Sequence, residues 1–90
     1  MVILLSYDLN GYERPSAYAD VKNMIDKYAI SKRKPLYSQW FIETNDSTEI
    51  WSDRMKAVTD SNDHWFIIRV QKPRQGWLPA DTWEWLRARE

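Results

Sequence analysis

The segment Val2-Ile3-Leu4-Leu5-Ser6-Tyr7-Asp8-Leu9 constrains the fold of this chain more than any other stretch. Successive side chains of a strand point to opposite faces, so Ile3, Leu5, Tyr7 and Leu9 share one face and Val2, Leu4, Ser6 and Asp8 the other. Both sets begin apolar, which predicts a central strand covered on both sides, with the second face turning polar only at its end. Asp8 then stands at the rim of a buried surface, just before the strand-breaking Asn10-Gly11. A carboxylate delivered to the end of a sheet is a common way to place a metal ligand. It is equally a common way to close a turn through local hydrogen bonds to the backbone.

Pro15-Ser16 reads as a helix start, because proline is tolerated in the first helical turn. Tyr18, Val21, Met24, Ile25 and Tyr28 then recur at helical spacing, with Asp20, Lys22, Asn23 and Lys27 on the other side. The basic run Lys32-Arg33-Lys34 follows as a short edge strand or hairpin arm, since lysine-rich edges discourage unwanted pairing. A strong strand is expected over 36–44, with Leu36, Ser38, Trp40 and Ile42 on one face and Tyr37, Gln39, Phe41 and Glu43 on the other. Asp46 with Glu49 resembles a capping box opening a second helix that runs to about residue 58, whose expected buried set is Ile50, Trp51, Met55 and Val58. Asp60 and Asp63 read as turn formers. A last strand is expected over 64–71, ended by Pro73 and Gly76, and then a short final helix with Trp83 and Leu86 facing inward.

This order of elements is the split βαβ arrangement, so the expected fold is α+β, a ferredoxin-like βαββαβ sandwich with an antiparallel sheet and a short C-terminal helix. Right-handed crossovers put both main helices on one sheet face. The opposite face, expected to be rich in Trp and Tyr, needs cover, and a face-to-face homodimer supplies it most economically.

Composition narrows the function classes. Ninety residues with no internal repeat or linker predict one domain spanning 1–90 with little surplus stability. Thirteen basic residues balance thirteen acidic ones, which argues against coating nucleic acid through bulk charge. Cysteine is absent, which removes disulfides and thiolate metal sites and suits a reducing cytoplasm. The N-terminal apolar run is too short for a membrane span and lacks a basic leader, so a cytoplasmic protein without membrane attachment is expected. Six tryptophans exceed what one small core readily houses, and some are expected at a subunit interface.

Tyr7-Asp8-Leu9-Asn10, Ser38-Gln39-Trp40, Asp60-Ser61-Asn62-Asp63 and Trp83-Glu84-Trp85-Leu86 together resemble the small bacterial proteins labelled SinR family and, more distantly, the CRISPR-associated protein Cas two and the VapD-like ribonucleases. The resemblance implies that Asp8 lies at a dimer interface and serves a metal-dependent nuclease, with Ser38 near the same rim and Mg2+ as the cofactor. Where the Cas two pattern offers a pair of basic residues after its aspartate, this chain has Arg14 followed by Pro15.

The chemistry asked of Asp8 is definite. Magnesium takes oxygen ligands and keeps several waters, so paired carboxylates of a dimer would hold one ion and activate a water against a phosphodiester. His64, beside Asp63, reads either as a general acid or as an exposed turn residue, and the second reading is the plainer. Lys32, Arg33 and Lys34, with Arg69, Lys72 and Arg74, would form one phosphate-binding strip if the edge strand and the last strand end near each other, with Trp65 and Trp77 adding base stacking. Two functions stand beside each other. One is a metal-dependent endoribonuclease acting as a homodimer; the other is a non-catalytic dimeric scaffold that binds RNA, DNA or a protein partner.

Overall fold

A computed structural model describes residues 1–9 and 16–89. The readings placed on Asn10, Gly11, Arg14 and Pro15 lie outside the described residues. The described elements are β1 (Val2–Asp8), α1 (Ala17–Tyr28), β2 (Ser31–Leu36), β3 (Gln39–Glu43), α2 (Thr48–Val58), β4 (His64–Arg69) and α3 (Ala80–Arg87). They make an α+β fold with a four-stranded sheet in the order β2-β3-β1-β4, and every neighbouring pair is antiparallel.

The alternation in β1 sets the layers. Ile3, Leu5, Tyr7 and Leu9 are buried against α1 and α2 together with Trp40, Ile42, Val21, Met24, Ile25, Trp51 and Met55. Register carries this face across the sheet, since Leu5 opposes Trp40 on one side and Ile67 on the other, and Tyr7 opposes Trp65. Buried indole N–H groups need acceptors. Trp51 Nε1 finds Thr44 Oγ1 at 3.0 Å, and Trp40 Nε1 finds the Tyr7 hydroxyl at 2.9 Å.

The opposite face has a smaller cover of its own. Val2, Trp85 and Leu86 form a second buried cluster with Phe41, Val70, Leu78 and Trp83 packed against it. α3 is tied to the edge strand by Trp85 Nε1 donating to Ser31 Oγ at 2.9 Å, and to β3 by the Arg89–Glu43 ion pair at 2.8 Å. This layer corrects two expectations. The face away from α1 and α2 is not Trp- and Tyr-rich, because Tyr7, Trp40 and Trp65 all turn toward the helices and leave Leu4, Phe41, Phe66 and Ile68 opposite. In α3 the fully buried set is Thr82, Trp85 and Leu86, with Trp83 only half-buried.

Local chemistry moved other boundaries. The strand expected over 36–44 is broken by a two-residue turn at Tyr37-Ser38, so Leu36 closes β2 and Gln39 opens β3. Ser38 takes a φ of 58°, in the left-handed region that few non-glycine residues enter, so no glycine marks the turn in the sequence. The cap of α2 is Ser47, whose Oγ accepts from Ile50 N at 3.2 Å, and not Asp46, which pairs with Arg54 at 2.8 Å. Ile50 consequently faces outward. Asp60 and Asp63 hold their turn as expected: Asp63 Oδ2 accepts from Asp60 N and Asp60 Oδ1 from Asn62 N, each at 2.9 Å.

Candidate functional site at the open end of the sheet

The antiparallel register gathers one end of each strand into a single rim. β1 ends there at Asp8, β4 begins there at His64, and the β2–β3 hairpin turns there at Tyr37-Ser38. Tyr7 N donates to the Ser38 carbonyl at 3.1 Å, which fixes the hairpin beside the end of β1. Ser38 therefore stands next to the strand end that carries Asp8.

Asp8 is exposed, at the limit of a strand whose alternate residues are buried. Its directly opposed residue on β4 is His64, also exposed. Opposed residues of an antiparallel pair project from the same face, with Cβ atoms about 4.5–5.5 Å apart. Among the described residues neither side chain forms a hydrogen bond or ion pair. The Asp60–Asp63 turn fixes the backbone just before His64, since Asp63 N also donates to the Asp60 carbonyl at 3.1 Å. The carboxylate and imidazole are thus held by a central strand on one side and a bonded turn on the other.

Behind this pair, on the same face, the next rows are Phe66, Ser6 and Gln39, then Ile68, Leu4, Phe41 and Arg33. Phe66 keeps 64% of its surface exposed and Ile68 47%. α3 covers the sheet near Val2 and Val70, and the apolar band continues past it toward Asp8.

The basic residues do not form a single strip. β2 and β4 are the two edges of the sheet, separated by β3 and β1, a distance of about 14 Å at ordinary strand spacing. On β2, Lys32 is held by Asp26 of α1, whose carboxyl lies below its usual range because Lys22 and then Lys32 bond to it. Arg33 stacks over the Trp85 ring at 5.6 Å. Lys34 lies 5.5 Å from the ring centres of both Tyr37 and Trp40. Tyr37 is 80% exposed and begins a run of tilted rings, 6.2 Å to Tyr18 and 5.9 Å from there to Tyr7. Lys34 and Tyr37 place a cation and an exposed ring at the same sheet end as Asp8, on the side of the sheet that faces α1, since Tyr37 lies beside Tyr18 and Lys34 beside Trp40.

The second basic group sits at the far end. Arg69, Lys72 and Arg74 line a groove of about 340 Å³ with Met1, Val70 and Arg89. Trp65, expected as a stacking neighbour of these cations, is turned toward α2 and donates to Ser52 Oγ at 3.3 Å, whereas Trp77 is 98% exposed.

Sequence reasoning treated His64 by itself and so missed its place opposite Asp8. The signal was present: with β4 antiparallel to β1, the first residue of one strand meets the last of the other. The Lys34–Tyr37 corner went unread because it depends on a hairpin turn that carries no glycine. No protein-family model matches the chain, and no curated protein matches it either.

Proposed function

We propose that the chain is a cytoplasmic ferredoxin-like homodimer, similar to the Cas two and VapD-like proteins and to the SinR family, that cleaves RNA with a divalent metal ion at Asp8. The strand order β2-β3-β1-β4, antiparallel throughout with α1 and α2 on one face, supports the ferredoxin-like reading. The observation that carries the nuclease reading is an exposed, unengaged carboxylate at the edge of an apolar sheet face that remains open at that end. A second copy laid on this face would cover Phe66 and Ile68 and bring two Asp8 side chains together.

The residues fit a divalent ion only when two chains contribute. Among the described residues of one chain, no group of three His, Cys, Asp or Glu side chains is placed to hold a metal. Two Asp8 carboxylates would supply the oxygen donors that Mg2+ requires. An ion bound there supplies a water of lowered pKa and neutralises charge on the phosphodiester. Lys34 would draw the backbone toward the rim, and Tyr37 would receive a base. Arg69, Lys72 and Arg74 would contact a longer substrate at the other end.

The test is cleavage of labelled single-stranded RNA and double-stranded DNA by wild type and Asp8→Asn, with magnesium and with chelator. Cleavage that needs both the metal and Asp8 is expected. A wild-type dimer that cuts neither substrate would sink the nuclease reading. The alternative is a non-catalytic dimeric scaffold for nucleic acid or a protein partner. That alternative predicts binding that Asp8→Asn leaves unchanged.

A further inference from the structure

We infer that the segment between β4 and α3, together with α3 itself, forms a track for single-stranded nucleic acid, with the phosphates along Arg69, Lys72, Arg74 and Arg87 and the bases against Trp83 and Trp77. The inference deepens the nucleic-acid reading above, and it needs neither a metal ion nor a second copy.

Three observations carry it. The groove of about 340 Å³ beside Arg69 and a second of about 600 Å³ share Lys72 and Arg74 as a common wall, and Trp83 and Arg87 close the second. Among the described residues no carboxylate lines either groove, although the chain as a whole has as many acidic as basic residues. A third groove, of about 440 Å³, continues from Trp83 and Arg87 to Trp77, with Glu84 on its wall. Trp77 is almost fully exposed, so an indole lies open at the end of the cationic run.

A concave surface lined by one sign of charge over apolar side chains focuses its field and concentrates a polyanion locally, which zero net charge does not prevent. Val2, Val70 and Leu86 supply the apolar part of the first groove. Arg89 lines it too, yet is held by Glu43 and lies 4.3 Å from the Trp85 ring centre, so it shapes the wall and leaves the exposed Arg69 and Arg87 to meet phosphates. Arg87 lies 5.9 Å from the Trp83 ring centre, which puts a cation and an aromatic side chain together where the second and third grooves join. An unpaired strand offers the faces of its bases to such side chains, whereas the bases of a duplex are stacked on one another. Cations followed by an open indole therefore select a single strand over a duplex. Glu84 stands at the Trp77 end, where bases and not phosphates are expected.

Binding of labelled oligouridine to the full chain is followed by fluorescence anisotropy with chelator present, beside a duplex RNA of equal length and vesicles of anionic phospholipid. The single strand is expected to bind more tightly than the duplex, with an affinity that falls as salt rises. Trp77→Ala should weaken single-strand binding about tenfold. Arg69→Gln and Arg87→Gln should each flatten the slope of log affinity against log salt by about 0.7. All three side chains are exposed, so each variant should keep the circular dichroism spectrum of the wild type. Duplex binding as tight as single-strand binding, a Trp77→Ala affinity equal to wild type, or binding to the vesicles alone would overturn the inference. Binding with these losses by a chain that never cuts RNA upholds the track and sinks the nuclease. Magnesium-dependent cleavage through Asp8 by a chain whose arginine and tryptophan variants all bind like wild type sinks the track and leaves the nuclease standing.

Discussion

On the sheet face toward α1 and α2, Ile3, Leu5 and Ile42 are fully buried, while on the other face Phe66 and Ile68 keep 64% and 47% of their surface. The same strands supply both faces, so the difference lies in what is laid over them. Two amphipathic helices cover the first face along its length, and every buried indole there has an acceptor. A single helix of eight residues covers the second, anchored at the Val2 end and stopping short of Asp8. A chain this short completes one core and leaves an apolar band beside the exposed Asp8.

The contrast is broken most directly in the helix-covered face. Trp51 is wholly buried, and Trp51→Ala should cost about 3–5 kcal/mol through the cavity and lost contacts, with Thr44 Oγ1 also deprived of its donor. Phe66→Ala, on the open face, should change the stability of the isolated chain by less than about 1 kcal/mol. Urea unfolding of both variants at several protein concentrations checks the pair. A Phe66→Ala loss that approached the Trp51 loss and grew with concentration would show that a second copy covers the open face.

Tyr7 sharpens the comparison at the end where the two faces share a rim. Its hydroxyl accepts from Trp40 Nε1, so Tyr7→Phe strands a buried N–H and should cost about 1–3 kcal/mol at neutral pH. Burial raises the Tyr7 pKa, with the Trp40 hydrogen bond opposing that effect and Tyr18 and Tyr37 adding to it. The folded protein therefore holds the phenol proton more tightly than the unfolded chain. This contribution is complete below the ordinary tyrosine value of 10.0 and is lost as pH rises through the higher folded value. The stability gap between wild type and Tyr7→Phe should accordingly hold up to the ordinary value of 10.0 and narrow as pH rises above it. A gap that widened over that range would place the phenol in a site that favours its ionised form.

Legibility in the sequence followed the same division. The alternation of residues 2–9 and the helical spacing of Val21, Met24 and Ile25 identified the helix-covered core, because a complete layer imposes a strict period. The partial layer was harder to read. α3 buries Thr82, Trp85 and Leu86, and the choice of Trp85 over Trp83 depends on where Ser31 and Glu43 stand across the sheet, which no local pattern records. At the candidate site Asp8 was legible from its position after an apolar run. His64 was not, since its meaning comes from a partner 56 positions earlier in the chain, brought beside it by register. The basic residues were legible as charge, but their separation onto two edges follows from strand order.

α3 offers a middle-sized test of the partial layer. Trp85→Phe keeps most of the apolar contact and removes the hydrogen bond to Ser31 Oγ, so a loss of about 1 kcal/mol is expected by thermal or urea unfolding. A negligible loss together with unchanged proteolysis of the C-terminal segment would mean that apolar packing alone seats the helix. A loss equal to that of Trp51→Ala would make the second cluster a full core in its own right and weaken the contrast between the faces.

The smallest effect belongs to the edge where α1 meets β2. Asp26 bonds to Lys22 on its own helix and to Lys32 of β2, so even the margin of the helix-covered face is tied to the sheet. Lys22, and after it Lys32, lower the Asp26 pKa from the ordinary value of 3.8. A carboxyl with a lowered folded pKa contributes stability above its unfolded value, and the contribution disappears as pH falls through the lowered one. Asp26→Asn should therefore differ from wild type at neutral pH, and the difference should close below the ordinary carboxyl range. Because the pair is open to solvent, salt should shrink the difference at neutral pH as well. Thermal unfolding of both proteins at low and high ionic strength checks each part. A difference that survived both acid and salt would assign Asp26 a packing role at this edge in place of an electrostatic one.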